Sequence, residues 1–306
     1  MTPAVSYVIP CGTWRHVAKV VDCLLAQDEA DEIELVLAGP GQLADEIPQH
    51  VRERFAAVMV VPAQAEKMHD ARAAGLLAAT APWVVIGETH CYPQPGWAQA
   101  MLAAFRADGW DAVGPRIENA NPQTGMSWAN LALDYGPFLN PRRGHAQALP
   151  GQNAALRTAL LQPYRDDLGE HMRMPYVFFE KLRSRGARLF VEPAARSAHL
   201  NVTDPHGWVL ERIDVGRLFA ADRSAVWPWW RRVIYTLGSP AVPLLRGRRA
   251  LRDLRDGGGP LRALPWLIAA LVASGVGEAI GYALGHGRGN PRIFAVELDR
   301  EAYAPR

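Results

Sequence analysis

The sequence predicts an α/β fold in which a mainly parallel sheet carries helices on both faces. Short apolar runs alternate with segments of helical periodicity along the first third of the chain. The run from Val58 to Val61 is apolar without interruption, as in strands that are covered on both faces. Strands alternating with helices in this way are typical of parallel pairs joined by helical crossovers.

The predicted elements follow one another with short turns between them. Strands are predicted at residues 5–9, 33–37, 58–61 and 83–86, and helices at 17–25, 43–55, 66–79 and 97–105. Pro10 and Pro62 end the first and third strands. No regular pattern stands out between residues 111 and 154, and the series resumes with a helix at 177–185 and a strand at 188–191.

Composition indicates a globular chain with a sizeable core. Its 306 residues suggest a main domain with an appendage, and 49% of them are hydrophobic against 21% charged. The net charge of +2 is too small to favour nucleic acid as a partner. The three cysteines show no paired or metal-binding spacing, and the N-terminus lacks the basic and apolar regions of a signal peptide. We therefore expect a reducing, cytoplasmic location.

Several motifs occur in a fixed order along the first two thirds of the chain. They are Val8-Ile9-Pro10, Asp70 to Gly75, Glu88-Thr89-His90 with Pro93 to Trp97, Pro150 to Arg157, and Phe178 to Gly186 with Pro193 and His199. The ordered set resembles the inverting glycosyltransferases of family 2 over roughly residues 5–201. The resemblance implies a Rossmann-like GT-A domain, with a nucleotide-sugar donor and a glycan or lipid-linked acceptor as its partners.

The chain departs from the family pattern in places that bear on function. Ala38-Gly39 stands where the family carries an acidic pair for the nucleotide base, and Glu88-x-His90 replaces the D-x-D motif. One alternative is therefore a catalytically inactive GT-A-like domain that binds a sugar nucleotide or a glycan. A nucleotidyltransferase would need a glycine-rich, basic loop after the first strand, and residues 11–15 are poor in both glycine and lysine.

Glu88 and His90 are the predicted centre of the donor site. They directly follow the fourth strand, where ligands bind in open α/β sheets, and residues two apart project to one side of extended backbone. A carboxylate and an imidazole suit Mn²⁺ or a softer ion better than Mg²⁺. We expect a divalent cation, Mn²⁺ or Mg²⁺, with His199 as a third ligand. A polar turn at the strand's end is the alternative interpretation.

The resemblance also distributes donor, acceptor and catalytic roles over other segments. We expect Pro10 and Arg72 on the donor side, and Trp97 and Asn153 on the acceptor side. The alternatives are a surface position on a helix for Arg72 and a turn role for Asn153. Inverting transfer needs a general base beside the acceptor hydroxyl, and Glu170 is the predicted base. Three other carboxylates remain alternatives, and each could instead belong to a solvated loop, a helix cap or a helix surface: Asp166, Asp167 and Glu180.

The composition changes near Trp227 and predicts a domain boundary, with a GT-A domain at 1–225 and a basic, apolar helical region at 226–306. Residues 227–255 mix tryptophans, aliphatic residues and arginines, as helices at a bilayer interface do. Residues 264–284 are long enough to span a bilayer, although Pro265 and Glu278 disfavour a simple span. We expect peripheral or monotopic attachment to the inner face of the cell membrane, suited to a cell-envelope glycan. A second core or a dimer interface is the alternative.

Overall fold

The computed structural model describes residues 2–64, 67–107, 109–287 and 295–304. Its strands are β1 (Val5–Pro10), β2 (Ile33–Gly39), β3 (Ala57–Pro62), β4 (Trp83–Ile86), β5 (Cys91–Pro93), β6 (Ala112–Asn119), β7 (Gly144–Ala146), β8 (Ala155–Arg157) and β9 (Leu189–His199). Its α-helices are α1 (Trp14–Leu25), α2 (Leu43–Glu46), α3 (Gln49–Arg54), α4 (Met68–Ala78), α5 (Trp97–Arg106), α6 (Gly125–Tyr135), α7 (Leu168–His171), α8 (Pro175–Ser184), α9 (Pro205–Ser224), α10 (Trp229–Gly238), α11 (Val242–Asp256) and α12 (Leu264–Leu284).

The chain packs as two compact units. The first unit comprises Met1–Glu118 and Asn140–His199, and the second comprises Asn119–Leu139 and Leu200–Arg306. Helix α9 lies before the predicted boundary at 225/226 and packs against α12 within the second unit. The division into a GT-A domain at 1–225 and a helical region at 226–306 stays a prediction.

The first unit is built on one mixed sheet with the strand order β3-β2-β1-β4-β8-β6-β9-β5, and β7 pairs with β9. Strands β3, β2, β1 and β4 run parallel to one another. Beyond β4 the strands turn antiparallel, since β8 pairs antiparallel with β4 and β6, and β5 and β7 pair antiparallel with β9. The predicted α/β fold class is confirmed, with the predicted parallel part formed by the first four strands.

The parallel strands β1, β2 and β4 are buried on both faces. The edge strand β3, whose apolar run at 58–61 predicted cover on both faces, is only partly buried. Every residue of β1 is buried. On one face Val8 and Val84 pack with Leu76 of α4 and with Phe178 of α8 in a single apolar cluster. The neighbouring residue Tyr7 points the opposite way because side chains alternate along a strand. The site described below lies on the side of Tyr7.

The structure differs from the predicted elements where proline and glycine obscure the pattern. The helix predicted at 43–55 is divided into α2 and α3, because Pro48 is extended and disfavours helical backbone in the residue before it. Residues 111–154, where the sequence shows no regular pattern, contain β6, α6 and β7. The Gly114-Pro115 pair inside β6 is a combination that normally marks a break. Glu66, in the helix predicted at 66–79, lies outside the described residues.

The second unit is a helical core around α12. This helix packs along α9 and also contacts α10, α11 and α6. Within the described ranges it is the one helix long and apolar enough to cross a membrane, and half of its most apolar window is buried inside the protein. The packing of α12 therefore agrees with the alternative interpretation of residues 264–284, in which they belong to an ordinary second core.

Candidate active site

The end of β4 is held in place by backbone hydrogen bonds from two neighbours. The Gly87 N–H donates to the Val8 carbonyl over 2.8 Å, and the Asn153 N–H donates to the Ile86 carbonyl over 2.6 Å. A Cβ atom at Gly87 would lie 2.4 Å from Cε1 of Tyr7 and 2.6 Å from the Val8 oxygen. Only glycine allows the chain to leave the sheet so close to β1, and this departure positions Glu88.

The pairing of β5 with β9 brings a distant histidine to the same place. Cys91 lies opposite His199 in this antiparallel pair. His90, the residue before Cys91, therefore lies beside His199, and their rings meet edge to face with centroids 4.9 Å apart. More than a hundred residues separate the two histidines in sequence, so the sheet register is what unites them.

Glu88, His90 and His199 form a buried cluster. Oε1 of Glu88 lies 3.9 Å from Nε2 of His90, and Oε2 lies 4.0 Å from Nε2 of His199. One ligand atom of each residue lies within 4.8 Å of the other two, and all three side chains are buried. The backbone at residues 87–90 is a loop and a turn instead of the predicted extended strand. The two side chains thus meet through a turn, and the predicted alternation of extended residues is wrong.

The spacing of these atoms suits a divalent cation. Oxygen and nitrogen ligands lie about 2.0–2.2 Å from a metal ion, so two ligands of one ion are at most about 4.4 Å apart. The two distances from Glu88 fall within this limit and are too long for hydrogen bonds. Shifts of a few tenths of an ångström would bring the widest separation, 4.8 Å, within the same limit. The donor set, one carboxylate and two imidazoles, fits Mn²⁺ or a softer ion.

Asn153 lies directly against the carboxylate of this cluster. Its backbone is left-handed, with φ of 64°, and its side chain is buried. The amide Nδ2 donates to Oε2 of Glu88 over 2.8 Å, and Oδ1 accepts from the Tyr7 hydroxyl over a long 3.5 Å. Thr89 Oγ1 lies 3.1 Å from Nδ1 of His90. Polar groups behind the cluster therefore hold both the carboxylate and one imidazole.

Two ionisable groups beside the cluster stay neutral at physiological pH. Burial raises the pKa of the Tyr7 hydroxyl well above its usual value, and the negative charge of the Glu88 carboxylate acts in the same direction. Burial also raises the pKa of the Cys91 thiol, with the Glu88 carboxylate as the next cause. Tyr7 is therefore a hydrogen-bond donor toward Asn153, and Cys91 adds no thiolate charge to the site.

The other predicted binding residues occupy various positions in the first unit. Trp97 begins α5, is buried, and meets the Tyr7 ring edge on at 5.5 Å between centroids. Pro10 ends β1 opposite Ala38. Arg72 is buried on α4, and its Nη1 donates to the carbonyl of Met172 over 3.0 Å. Through Tyr7, Trp97 is linked to the cluster, whereas Arg72 contacts the chain just after α7.

The predicted base and its alternatives lie on or near α7 and α8. Glu170 is on α7, its side chain is 63% exposed, and it accepts from Arg173 over 2.9 Å. Asp167 pairs with His171 at 3.3 Å. Asp166 and Glu180 are exposed. In the described structure, Glu170 thus contacts Arg173, three residues further along the chain, and not the cluster around Glu88.

Sequence reasoning missed Tyr7 and Thr89 as parts of this site. Tyr7 is the one aromatic residue in a strand that is otherwise aliphatic and small, and its side chain faces away from Val8. A tyrosine in a buried strand was the available signal, because buried tyrosine hydroxyls usually have a hydrogen-bond partner and so indicate polar groups on that face of the sheet. Thr89 lies between the two predicted ligands, and its role depends on the turn that the sequence did not predict.

Comparison with known proteins gives a family for part of the chain. Residues 8–165 match the profile described as Glycosyl transferase family 2. The pre-mycofactocin glycosyltransferases of two Mycobacterium tuberculosis strains are 26% identical over 210 residues, which is 60% of this chain. The chain spans about half the length of these curated relatives, with 45% of each covered.

Two solved structures are similar to this chain at low sequence identity. The mannosyltransferase PcManGT from Pyrobaculum calidifontis, in complex with GDP-Man and Mn²⁺, matches with a TM-score of 0.53 and 16% identity. The match covers 91% of this chain and 87% of that one. The structure of GalNAc-T7 with UDP, GalNAc and Mn²⁺ matches with a TM-score of 0.47 and 17% identity over 65% of this chain and 44% of that one.

Proposed function

Because this chain belongs to glycosyl transferase family 2, we propose that it transfers a sugar, with inversion, from a nucleotide-sugar donor to a glycan or lipid-linked acceptor. It is a glycosyltransferase with a GT-A fold. The observation that carries the finer proposal is the meeting of Glu88, His90 and His199 just beyond the carboxyl end of a central parallel strand. This is the edge of an open α/β sheet where ligands bind.

On the donor side, Glu88, His90 and His199 would hold a divalent cation, Mn²⁺ or Mg²⁺. When bound, the cation would neutralise negative charge on the diphosphate that leaves with the nucleotide. Two imidazole ligands favour Mn²⁺ over Mg²⁺, which prefers oxygen. The Mn²⁺ and GDP-Man in complex with the Pyrobaculum calidifontis mannosyltransferase support a cation and a sugar nucleotide here. Pro10 and Arg72 remain the predicted further contacts of the donor.

On the acceptor side, Glu170 is the proposed general base. The acceptor oxygen would form a bond to the anomeric carbon while the bond from that carbon to the diphosphate oxygen breaks. The hydroxyl proton would pass to the Glu170 carboxylate, whose exposure on α7 leaves it open to an acceptor. Trp97 and Asn153 are the proposed acceptor contacts.

We also propose that the enzyme works at the inner face of the cell membrane, as a peripheral or monotopic protein. The second unit supports this location, because its helices expose tryptophans, aliphatic residues and arginines together. One apolar helix, α12, is compatible with membrane contact. A lipid-linked or cell-envelope acceptor would be available at that surface.

A transfer assay with a panel of sugar nucleotides tests the proposed function. Release of nucleoside diphosphate would be measured with and without acceptor, in Mn²⁺, in Mg²⁺ and after chelation, beside the thermal shift that each sugar nucleotide causes. Glu88→Gln, His90→Ala and His199→Ala should each abolish stimulation by the metal. His145→Ala is the matched control, because His145 is an exposed histidine on β7 in the same unit.

The outcomes separate enzyme from binding protein. Turnover that requires the metal and is lost in the cluster variants supports the proposal. A thermal shift without turnover for any donor would instead support an inactive domain that binds a sugar nucleotide. Full activity of the cluster variants, or activity unchanged by chelation, would rule out the metal site.

A further inference from the structure

Helix α10 turns its apolar side to solvent. Trp229 is 76% exposed, Trp230 is 53% exposed and Leu237 is 75% exposed, and Val233 and Ile234 are exposed with them. Residues 229, 233 and 237 are four apart and share one stripe of the helix, with residues 230 and 234 beside it. None of the ten residues of α10 is buried. We call these five side chains the α10 face.

The opposite side of α10 is anchored to the second unit by polar and aromatic contacts, which fix the orientation of the α10 face. Arg232 Nε donates to the Tyr282 carbonyl over 2.8 Å. The Arg231 guanidinium lies 4.0 Å from the centroid of the Trp227 ring, and the Tyr235 and Tyr282 rings are 5.4 Å apart. A continuous apolar stripe that faces water in this fixed way marks a surface for an apolar partner.

The charge around this helix identifies the partner. Residues 226–263 contain eight arginines and two aspartates, a net charge of +6. Arg248, Arg252 and Arg255 of α11 are exposed. Two copies of this chain meeting through this region would bring like charges together, which is unfavourable. An anionic bilayer offers an apolar interior to the α10 face and negative headgroups to the exposed arginines of the helix that follows, so it fits both features.

We propose that α10 lies in the plane of an anionic phospholipid bilayer, with the α10 face in the interface and the α11 arginines against the headgroups. This inference rests on the proposed location at a membrane and specifies the surface and the lipid. The helix is ten residues long, and tryptophan is a side chain that settles at the headgroup level. Contact is therefore shallow, and α12 keeps its place in the core of the second unit.

Binding of the full-length protein to vesicles tests this inference without any use of transferase activity. Vesicles of phosphatidylcholine with phosphatidylglycerol would be compared with vesicles of phosphatidylcholine alone, by flotation. The double variant Trp229→Ser/Leu237→Ser should weaken binding to the anionic vesicles at least tenfold, since each side chain loses its apolar burial. Val177→Ser is the matched control, because Val177 is an exposed aliphatic residue on α8 of the first unit.

The charge contribution has its own expected size. Arg248→Gln/Arg255→Gln should weaken binding to anionic vesicles about 25-fold, at about fivefold per arginine near the surface. The Arg248→Gln/Arg255→Gln variant should bind vesicles of phosphatidylcholine alone as the parent protein does. Equal binding of the parent and the Trp229 variant overturns the inference. A change of oligomeric state in that variant, with unchanged vesicle binding, overturns it in favour of a second copy as the occupant.

A second inference rests on different observations, in the first unit. We infer that Asn153 is a positioning residue, which sets the orientation of the Glu88 carboxylate for the proposed cation. Its amide donates to Oε2 of Glu88 over 2.8 Å from a buried position. Its backbone is fixed by the 2.6 Å hydrogen bond to the Ile86 carbonyl. Rotation of the carboxylate would break the side-chain bond, so both oxygens keep their positions toward His90 and His199.

Asn153 is suited to this role by its backbone as well as its side chain. A φ of 64° is unfavourable for most residues, whereas asparagine and glycine adopt it readily. Asn153→Gly therefore removes the amide and preserves the backbone conformation. Tyr7→Phe removes the hydroxyl that lies 3.5 Å behind the amide, a long contact that predicts a smaller effect. The control for loss of a buried hydroxyl on the same strand is Ser6→Ala, since Ser6 donates to Glu34.

Affinity for Mn²⁺ alone, measured by calorimetry, is the readout, so no donor or acceptor is required. Asn153→Gly should weaken binding about 10- to 100-fold, the usual cost of losing a group that orients a metal ligand. Asn153→Gln should fail to restore affinity, because its longer side chain cannot place the amide at the same point. Ser6→Ala should bind Mn²⁺ as the parent does.

The outcomes distinguish this inference from the proposed function. If His199→Ala loses Mn²⁺ binding and Asn153→Gly keeps it, the positioning role is overturned and the metal site stands. If the parent protein binds no Mn²⁺, both the metal part of the proposed function and this inference fail. A lower melting temperature of metal-free Asn153→Gly with parental Mn²⁺ affinity would assign Asn153 to the fold alone.

Discussion

Two glycines in the helices of the second unit should respond oppositely to the same substitution. A Cβ atom at Gly277 of α12 would lie 2.1 Å from the carbonyl oxygen of Ile213 and 3.0 Å from the Arg217 nitrogen, both on α9. At Gly247 of α11 the nearest atom would be Cδ1 of Leu271, at an ordinary 3.7 Å. We predict that Gly277→Ala destabilises the protein and that Gly247→Ala stabilises it.

The magnitudes follow from two competing effects. Alanine is favoured over glycine in a helix interior by about 1 kcal/mol, and this gain applies to both sites. At Gly277 the new methyl group would need the α9 backbone to move by about 1 Å, and because the clash is with backbone, the cost lies in the upper part of the overpacking range, at about 2–3 kcal/mol. The expected net change is a gain of about 0.5–1 kcal/mol for Gly247→Ala and a loss of about 1–2 kcal/mol for Gly277→Ala.

Differential scanning calorimetry of the two variants and the parent protein measures the comparison. The melting temperature should fall for Gly277→Ala and rise for Gly247→Ala under identical conditions. Circular dichroism should show equal helix content, which separates changed packing from failure to fold. Equal stability of the parent and Gly277→Ala would refute the close approach of α9 and α12, and with it the placement of α12 in the core.

Three further predictions concern the first unit. Glu170→Gln should lower turnover about 10²- to 10⁴-fold and leave donor affinity unchanged in a titration, because only proton transfer is lost; parental turnover would redirect the search for the base to the neighbouring carboxylates. Cys23 should react with a thiol reagent before Cys11 and Cys91 in the native protein, since burial raises the pKa of Cys11 to about 12 and that of Cys91 well above its usual value; labelling of Cys11 and Cys91 as early as Cys23 would contradict their burial. Chelation should lower the melting temperature of Mn²⁺-loaded parent protein and leave that of Glu88→Gln unchanged, and an equal response of both would remove Glu88 from the metal site.

The candidate site shows how far sequence patterns reach and where they stop. The apolar run of β4 predicted where Glu88 and His90 leave the sheet, because strand ends can be read from hydrophobic residues. The geometry between the two residues was predicted wrongly, since a turn of two residues leaves no periodic signal. Glu170 illustrates a different limit. The sequence around a carboxylate on a short helix does not show whether that carboxylate is a catalytic base or an ordinary exposed side chain.

The sequence alone determined the α/β class and the first four strands, because buried parallel strands must be continuously apolar and the helices between them must be periodic. The tertiary structure decided what depends on pairing between distant segments. The register of β5 with β9 brings His199 to His90, and the left-handed turn at Asn153 brings an amide to Glu88. Likewise the composition of residues 227–255 predicted basic, apolar helices at an interface, but only the contacts on the inner side of α10 decided which side faces solvent. Local propensity acts within a few residues, whereas sheet register and helix orientation result from contacts that close long loops of chain.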